Sequence, residues 1–268
     1  MAKFVTLDRP REGVALVTMA NPAISNNGSW EAIGELANAL REAREGGARV
    51  TVLASGVPGH WFEHAWLADL ANAMAGEPTT GDGAAWYRCL QELTKTAVVS
   101  IAAISGDCSG GGAELGWACD LRIAEEQAWF GQPEVQIGVT TGIGGTSRLA
   151  RIIGRTAAAE MVLDGSPMTA QRIYELGGLN RVVPTGQAVT VALEWAARLA
   201  ERPPNALAGL KQILIDNDEL PLEQALRNEQ RVFQEVASKP EAIARMREIQ
   251  ARHYAGETFR DLYGPPRS

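Results

Sequence analysis

A chain of 268 residues with 46% hydrophobic and 21% charged content has ample apolar material for one large α/β core. Its formal charge of −7 argues against a general nucleic-acid or anionic-membrane surface, while a local basic patch for a phosphorylated small molecule stays compatible. Cys89, Cys108 and Cys119 lack metal-ligand spacing and cannot all pair, which points to reduced thiols in the cytoplasm. No signal-peptide apolar region and no run near the ~20 residues of a membrane span are found, so a soluble intracellular protein is expected.

In chain order, Val14 to Met19 is a strand-like run closed by the turn formers Asn21-Pro22 and Asn26-Asn27-Gly28. Ser29 can cap a helix from Trp30 to about Arg44, with Ile33, Leu36, Ala37 and Leu40 at helical spacing and Gly46-Gly47 as its stop. Residues 50–54 form a second, buried-type strand, so a parallel pair with a right-handed crossover is predicted. Residues 55–70 read as a loop dense in aromatics and histidines, and residues 74–82 as a mobile surface excursion. A helix over 84–93, a strand over 97–104, a helix over 110–119 and a strand over 121–124 continue the alternation, suggesting a layered, coiled α/β arrangement. Beyond Gly145 helices are predicted at 146–153, 157–163, 169–176 and 189–201, around one strand at 179–183, and residues 204–254 read as helices alone. Apolar stripes there (Leu210, Ile213, Leu214; Leu222, Ala225, Leu226; Val232, Phe233, Val236) suit the cover of a neighbouring subunit.

The chemistry concentrates between Ile101 and Gly145. Gly110-Gly111-Gly112-Ala113-Glu114 lets backbone approach a ligand, and N–H groups at a helix start carry the positive end of the dipole. Gly111 and Glu114, three apart, share one side of that helix. A carboxylate beside an oxyanion donor is the minimum for moving a proton next to a carbonyl. The same residues also fit a tightly packed helix start with an acid in its first turn. Phe130-Gly-Gln-Pro-Glu134 offers a second carboxylate, and two carboxylates in one cleft split their pKa values. Alone, that segment equally fits a surface turn. No Gly-Lys-Ser/Thr ending makes a P-loop, and no Gly-x-Gly-x-x-Gly follows the first strand.

The joint pattern is more specific. Gly-Gly-Gly-Ala-Glu-Leu, Cys-Asp-Leu-Arg-Ile-Ala, Phe-Gly-Gln-Pro-Glu, Gly-x-Gly-Gly-Thr-x-Arg-Leu and Arg-Val-Val-Pro, in that order, closely resemble the crotonase (enoyl-CoA hydratase/isomerase) superfamily over essentially the whole chain. The resemblance implies an α/β spiral of repeated ββα units over residues 1–200, and an α-helical C-terminal region over 201–268 involved in trimerisation. It implies an acyl-CoA or related carbonyl substrate, no metal, and no cofactor beyond the coenzyme A that the substrate carries. Homotrimers or dimers of trimers are its implied assembly. By position, Glu114 and Glu134 match the two glutamates that activate water, and the N–H groups of His64 and Gly111 the oxyanion hole; Phe62, Trp66, Gly110 and Gly142 would line the substrate pocket.

The sequence also departs from the family. The usual Phe-x-Ala-Gly-x-Asp-Leu is Phe62-Glu63-His64-Ala65-Trp66-Leu67 here. A glycine has become Ala65, Trp66 and Leu67 replace a small residue and an aspartate, and the imidazole of His64 could line the cleft as an extra acid/base group. The basic residue near Pro22 is missing, and the helix at 240–252 lacks the usual Asp-x-x-Glu-Gly; Arg245, Arg247 or Lys211 could take over. Three functions follow: a hydratase of enoyl-CoA thioesters, an isomerase or β-diketone (C–C) hydrolase on a non-CoA carbonyl, and a catalytically silent acyl-CoA binder.

Overall fold

The computed structural model describes residues 3–264. The chain divides into two compact units between Pro204 and Asn205. The first is built on a six-stranded sheet. β1 (Val5–Arg11) pairs antiparallel with β2 (Val14–Met19), and β3 (Val50–Ser55) joins β2 in parallel. The intervening helix α1 (Trp30–Glu45) starts where Ser29 Oγ accepts from Ala32 N at 3.3 Å, and it buries Ile33, Leu36, Ala37 and Leu40. A two-residue strand β4 (Gly59–His60) and the helices α2 (Leu67–Ala75) and α3 (Ala85–Leu93) lead into β5 (Val99–Ile104). After β6 (Gly106–Ser109) and α4 (Gly110–Ala118), β7 (Leu121–Glu125) takes the next place in the sheet. Then follow β8 (Trp129–Gly131), α5 (Ser147–Ile153), α6 (Arg155–Asp164), β9 (Met168–Thr169), α7 (Ala170–Glu175) and β10 (Arg181–Val183).

The large sheet runs β1-β2-β3-β5-β7-β10, so each new strand steps one place in the same direction. All contacts after the first pair are parallel. β3 and β5 are buried almost throughout, as parallel strands covered on both faces require. One face carries α1, α3 and α4 over a core that includes Leu36, Leu53, Trp61 and Leu115. The other is closed by α8 (Ala188–Ala200), whose Ala188, Ala192, Ala196 and Ala200 recur every four residues and bring it close to Val52 and Ile101. A small sheet, β4-β6-β8-β9, lies beside the first.

Three elements differ from the sequence reading. β1 escapes notice because Pro10 sits inside it; as an edge strand with a bulge between Asp8 and Arg11, it tolerates a residue without an N–H. The small sheet has strands of two to four residues, too short to show periodicity. Helix α2 takes up the end of the expected loop and the start of the expected excursion. Its Leu67, Leu70 and Met74 have helical spacing, and Gly76 ends it at φ +72°. The segment beyond is anchored, because the buried Asp69 accepts from Thr80 N (2.7 Å), Thr80 Oγ1 (2.6 Å) and Trp30 N (2.8 Å). One carboxylate thus joins α2, the 77–83 loop and the first amide of α1.

Asn26, fully buried in the left-handed region at φ +56°, ties the strand ends to the loop that precedes His64. Its Nδ2 lies within hydrogen-bond distance of Met19 O (3.3 Å), Ser55 Oγ (2.8 Å) and Trp61 O (2.7 Å), while Oδ1 accepts from Asn21 N (2.8 Å).

The second unit consists of α9 (Pro204–Asp216), α10 (Leu222–Ala237), α11 (Pro240–Tyr254) and the short α12 (Phe259–Tyr263). Gly209 on α9 faces Val232 and Val236 of α10, where its missing Cβ allows close approach. Lys211 is buried, whereas Leu210, Leu214, Leu222, Leu226 and Phe233 are exposed on this chain.

Asp69→Ala removes three hydrogen bonds to a carboxylate, from half-buried Trp30 N and from N and Oγ1 of exposed Thr80, a cost of roughly 1–3 kcal/mol. A lowered Tm and faster amide hydrogen exchange at Trp30 and Thr80 are expected; unchanged exchange there would refute the anchoring role.

Candidate active site

The site begins with close backbone packing at the start of α4. Gly110 has φ +47°, and a Cβ there would lie 2.8 Å from His64 Cβ and 3.6 Å from Glu134 Oε1. A Cβ on Gly112 would overlap the carbonyl oxygens of Phe62 and Glu63. Gly112 N instead donates to Glu63 O at 2.9 Å, and Gly28 N donates to His64 O at 2.9 Å. The 62–65 loop is therefore pressed onto the first turn of α4, and its carbonyls are taken up by protein. Gly111, second in the helix, has an N–H outside the helical ladder, and a Cβ on it would lie 3.4 Å from Ala65 N.

A cavity of about 420 Å³ opens at this junction. His64, Gly110, Gly111, Glu114, Glu134 and Gly142 all line it. Phe62 and Trp66 do not. Phe62 lies in the core, stacked on Trp61 with ring centroids 4.2 Å apart, and supports the loop from beneath. Trp66 precedes α2, its backbone N bonded to Gly28 O at 3.0 Å.

The two carboxylates have different surroundings. Glu114 is buried, and its Oε1 accepts from Ile143 N (2.9 Å) and Gly145 N (2.7 Å) of the second glycine turn. Arg148 Nη1 steadies that turn by donating to Ile143 O at 2.6 Å. Glu134 stands in a single turn of tight helix, Pro133–Ile137, closed by Gly138 at φ +78°. Burial pushes its carboxyl up to about 7, and the charge of Glu114 acts the same way, against the hydrogen bond from its own backbone.

Beneath Glu134 lies Gln132, fully buried. With each end of its amide facing a partner, Gln132 accepts from Trp117 Nε1 (3.2 Å) and donates to Glu134 Oε1 (2.9 Å) and Oε2 (3.2 Å). His64 directs Nδ1 at Ala65 O, 2.8 Å away; that acceptor requires the proton on Nδ1 and leaves Nε2 as the acceptor of the neutral ring. Among the described residues no group of three or more His, Cys, Asp or Glu is placed to hold a metal ion, and no helix is long and apolar enough to cross a membrane.

The enoyl-CoA hydratase/isomerase family model matches residues 9–254. The chain belongs to that family. It is 32% identical over 232 residues to a probable mitochondrial enoyl-CoA hydratase of Dictyostelium discoideum, covering 86% of this chain and 83% of the relative. A 2,3-dehydroadipyl-CoA hydratase of Escherichia coli (strain K12) is 32% identical over 224 residues, with 83% and 86% covered. The crystal structure of an enoyl-CoA hydratase from Bacillus anthracis superposes with a TM-score of 0.83 at 26% identity, over 94% of this chain and 97% of that one. The fold is accordingly the crotonase spiral with a helical C-terminal region, and the protein is an enzyme of this family.

The sequence reading singled out Glu114 and Glu134 but not what holds them. The donors to Glu114 sit in the Gly142–Thr146 motif, yet backbone N–H groups leave no residue-type signal. Gln132 lay within the quoted Phe-Gly-Gln-Pro-Glu segment. Trp30, Trp86 and Tyr87, which also line the cavity, were read only as helix positions.

The raised pKa of Glu134 has a stability consequence. Between about pH 4.5 and 7 the folded protein holds a proton that the unfolded chain has released, so this group lowers stability as pH rises through that window. Glu134→Gln should raise Tm at pH 8 and change it little at pH 4. Equal shifts at both values would show that the carboxyl is not held protonated.

Proposed function

We propose that the protein adds water across the α,β double bond of an enoyl-CoA thioester. The observation that carries this is the pair Glu114 and Glu134 on one cavity, beside the His64 and Gly111 backbone, with the two carboxyls in unlike environments. The thioester oxygen would lie against the N–H groups of His64 and Gly111, which stabilise the enolate-like charge that develops there. Glu114, fixed by two backbone donors, would take a proton from the attacking water. Glu134, whose raised pKa keeps a sizeable protonated fraction near pH 7, would deliver a proton to the α-carbon. The names of the Dictyostelium and Escherichia coli relatives support the same reaction class. Trimeric assembly through the exposed apolar residues of the second unit, and a cytoplasmic setting, belong to this proposal; sedimentation of the purified protein tests the former.

Crotonyl-CoA hydration, followed by loss of absorbance of the conjugated thioester, is the direct test. Glu114→Gln and Glu134→Gln should each lower kcat by about 10²–10⁴. Turnover that is indifferent to both substitutions would sink the two-glutamate mechanism. With Glu134 acting as the acid, kcat/KM for hydration should fall as pH rises above about 7, and that limb should be absent from the residual activity of Glu134→Gln.

His64 favours a second substrate class. An imidazole in the cavity with its tautomer set by Ala65 O suits a C–C hydrolase acting on a cyclic β-diketone. Cleavage of such a diketone that is lost in His64→Gln, in a protein that leaves crotonyl-CoA untouched, would favour that function over hydration.

A further inference from the structure

The cavity wall supplied by α1, α2 and α3 consists of Trp30, Leu67, Leu70, Met74, Trp86 and Tyr87. Three of these six are aromatic, in a protein whose aromatic content is only 6%. Their rings sit where neighbouring glycines leave room. Trp86 Cη2 lies 2.7 Å from where a Cβ on Gly28 would be, and 3.1 Å from one on Gly111. Its indole therefore spans the gap between the turn before α1 and the backbone of the candidate oxyanion donor. The Gly111 backbone thus lies next to that ring. Trp30 is wedged in the same manner: its Cη2 and Cζ3 lie 2.9 and 3.0 Å from a Cβ position on Gly83. The Asp69 carboxylate fixes its backbone N. Tyr87, next to Trp86 on α3, is 58% exposed yet still lines the cavity.

Size and charge narrow the occupant further. About 420 Å³ is in the range of pockets that hold drug-sized ligands, and is several times the volume of a four-carbon acyl group. No lysine or arginine is among the residues that line the cavity, so a terminal carboxylate on the acyl group would be buried without a cation. Flat rings on the wall favour a flat, conjugated guest, because offset or edge-on aromatic pairs add to simple burial of area.

We propose that the acyl group this cavity selects is an uncharged aryl one, an arylacrylyl thioester such as cinnamoyl, gripped by Trp30, Trp86 and Tyr87. Turnover of that thioester rests on the hydratase function above; its binding does not.

Calorimetric titration of the intact protein with saturated thioesters separates the two. 3-Phenylpropionyl-CoA should bind at least tenfold tighter than butyryl-CoA or adipyl-CoA, and at least threefold tighter than octanoyl-CoA, which is comparably hydrophobic but not flat. Tyr87→Leu, at an exposed position that should fold normally, and Trp30→Leu should each reduce the phenylpropionyl-to-octanoyl ratio at least threefold. Octanoyl-CoA or adipyl-CoA binding as tightly as the aryl thioester would overturn the proposal, as would a ratio that neither substitution changes. Hydration of cinnamoyl-CoA and crotonyl-CoA, measured in parallel, reads the chemistry independently. An aryl binding preference with no hydration of either thioester removes the hydratase function and leaves the acyl class standing. Crotonyl-CoA hydration without an aryl preference does the reverse.

Discussion

The contact on which the site depends is the one between the first turn of α4 and the 62–65 loop. Gly112 N reaches Glu63 O only because no Cβ stands between them, and Gly110 can lie beneath His64 only with its backbone at φ +47°. This packing places the start of a helix, with N–H groups that the helix cannot use, beside a loop whose Glu63 and His64 carbonyls already have backbone donors. Both cavity glutamates are arranged around that junction. The side chain of Glu114 comes from the same helix, and Glu134 Oε1 lies close to the Gly110 backbone.

The two carboxyls show how one cavity can give its acids unlike surroundings. Glu114 is fixed by backbone donors from a glycine turn that Arg148 in turn steadies. Glu134 has a neutral amide as its partner, Gln132, itself oriented by Trp117. That amide adds no compensating charge; burial is what raises the Glu134 carboxyl, opposed by the hydrogen bond from its own backbone, with Glu114 adding a smaller push. The difference lies in the second layer of residues, which is why the glutamate positions alone do not reveal it.

Much of this was legible in the sequence. The buried runs of β3 and β5, the capped helix α1 and the glycine-rich start of α4 follow from local periodicity and capping chemistry. What stayed hidden depends on long-range geometry. Pro10 masks an edge strand, and the short strands β4, β6, β8 and β9 form only because the spiral brings them together. Asp69, in a stretch the sequence reads as a loop, shows no special role until Thr80 and Trp30 are placed beside it. Phe62 and Trp66, two residues either side of His64, lie outside the cavity lining, Phe62 because it is buried against Trp61.

The Asp69 anchor also separates two inheritable properties. The glutamates and the glycine turns that hold them come from α4 and the segment from Gln132 to Gly145, whereas the apolar wall comes from α1, α2 and α3. A single carboxylate registers α2 and the loop before α3 against the start of α1. Side chains at Leu70, Met74 or Tyr87 can therefore be exchanged one at a time, with the helices still in place and the proton-handling groups untouched. Such an arrangement lets the range of accepted acyl groups drift across descendants of this chain while the chemistry is retained.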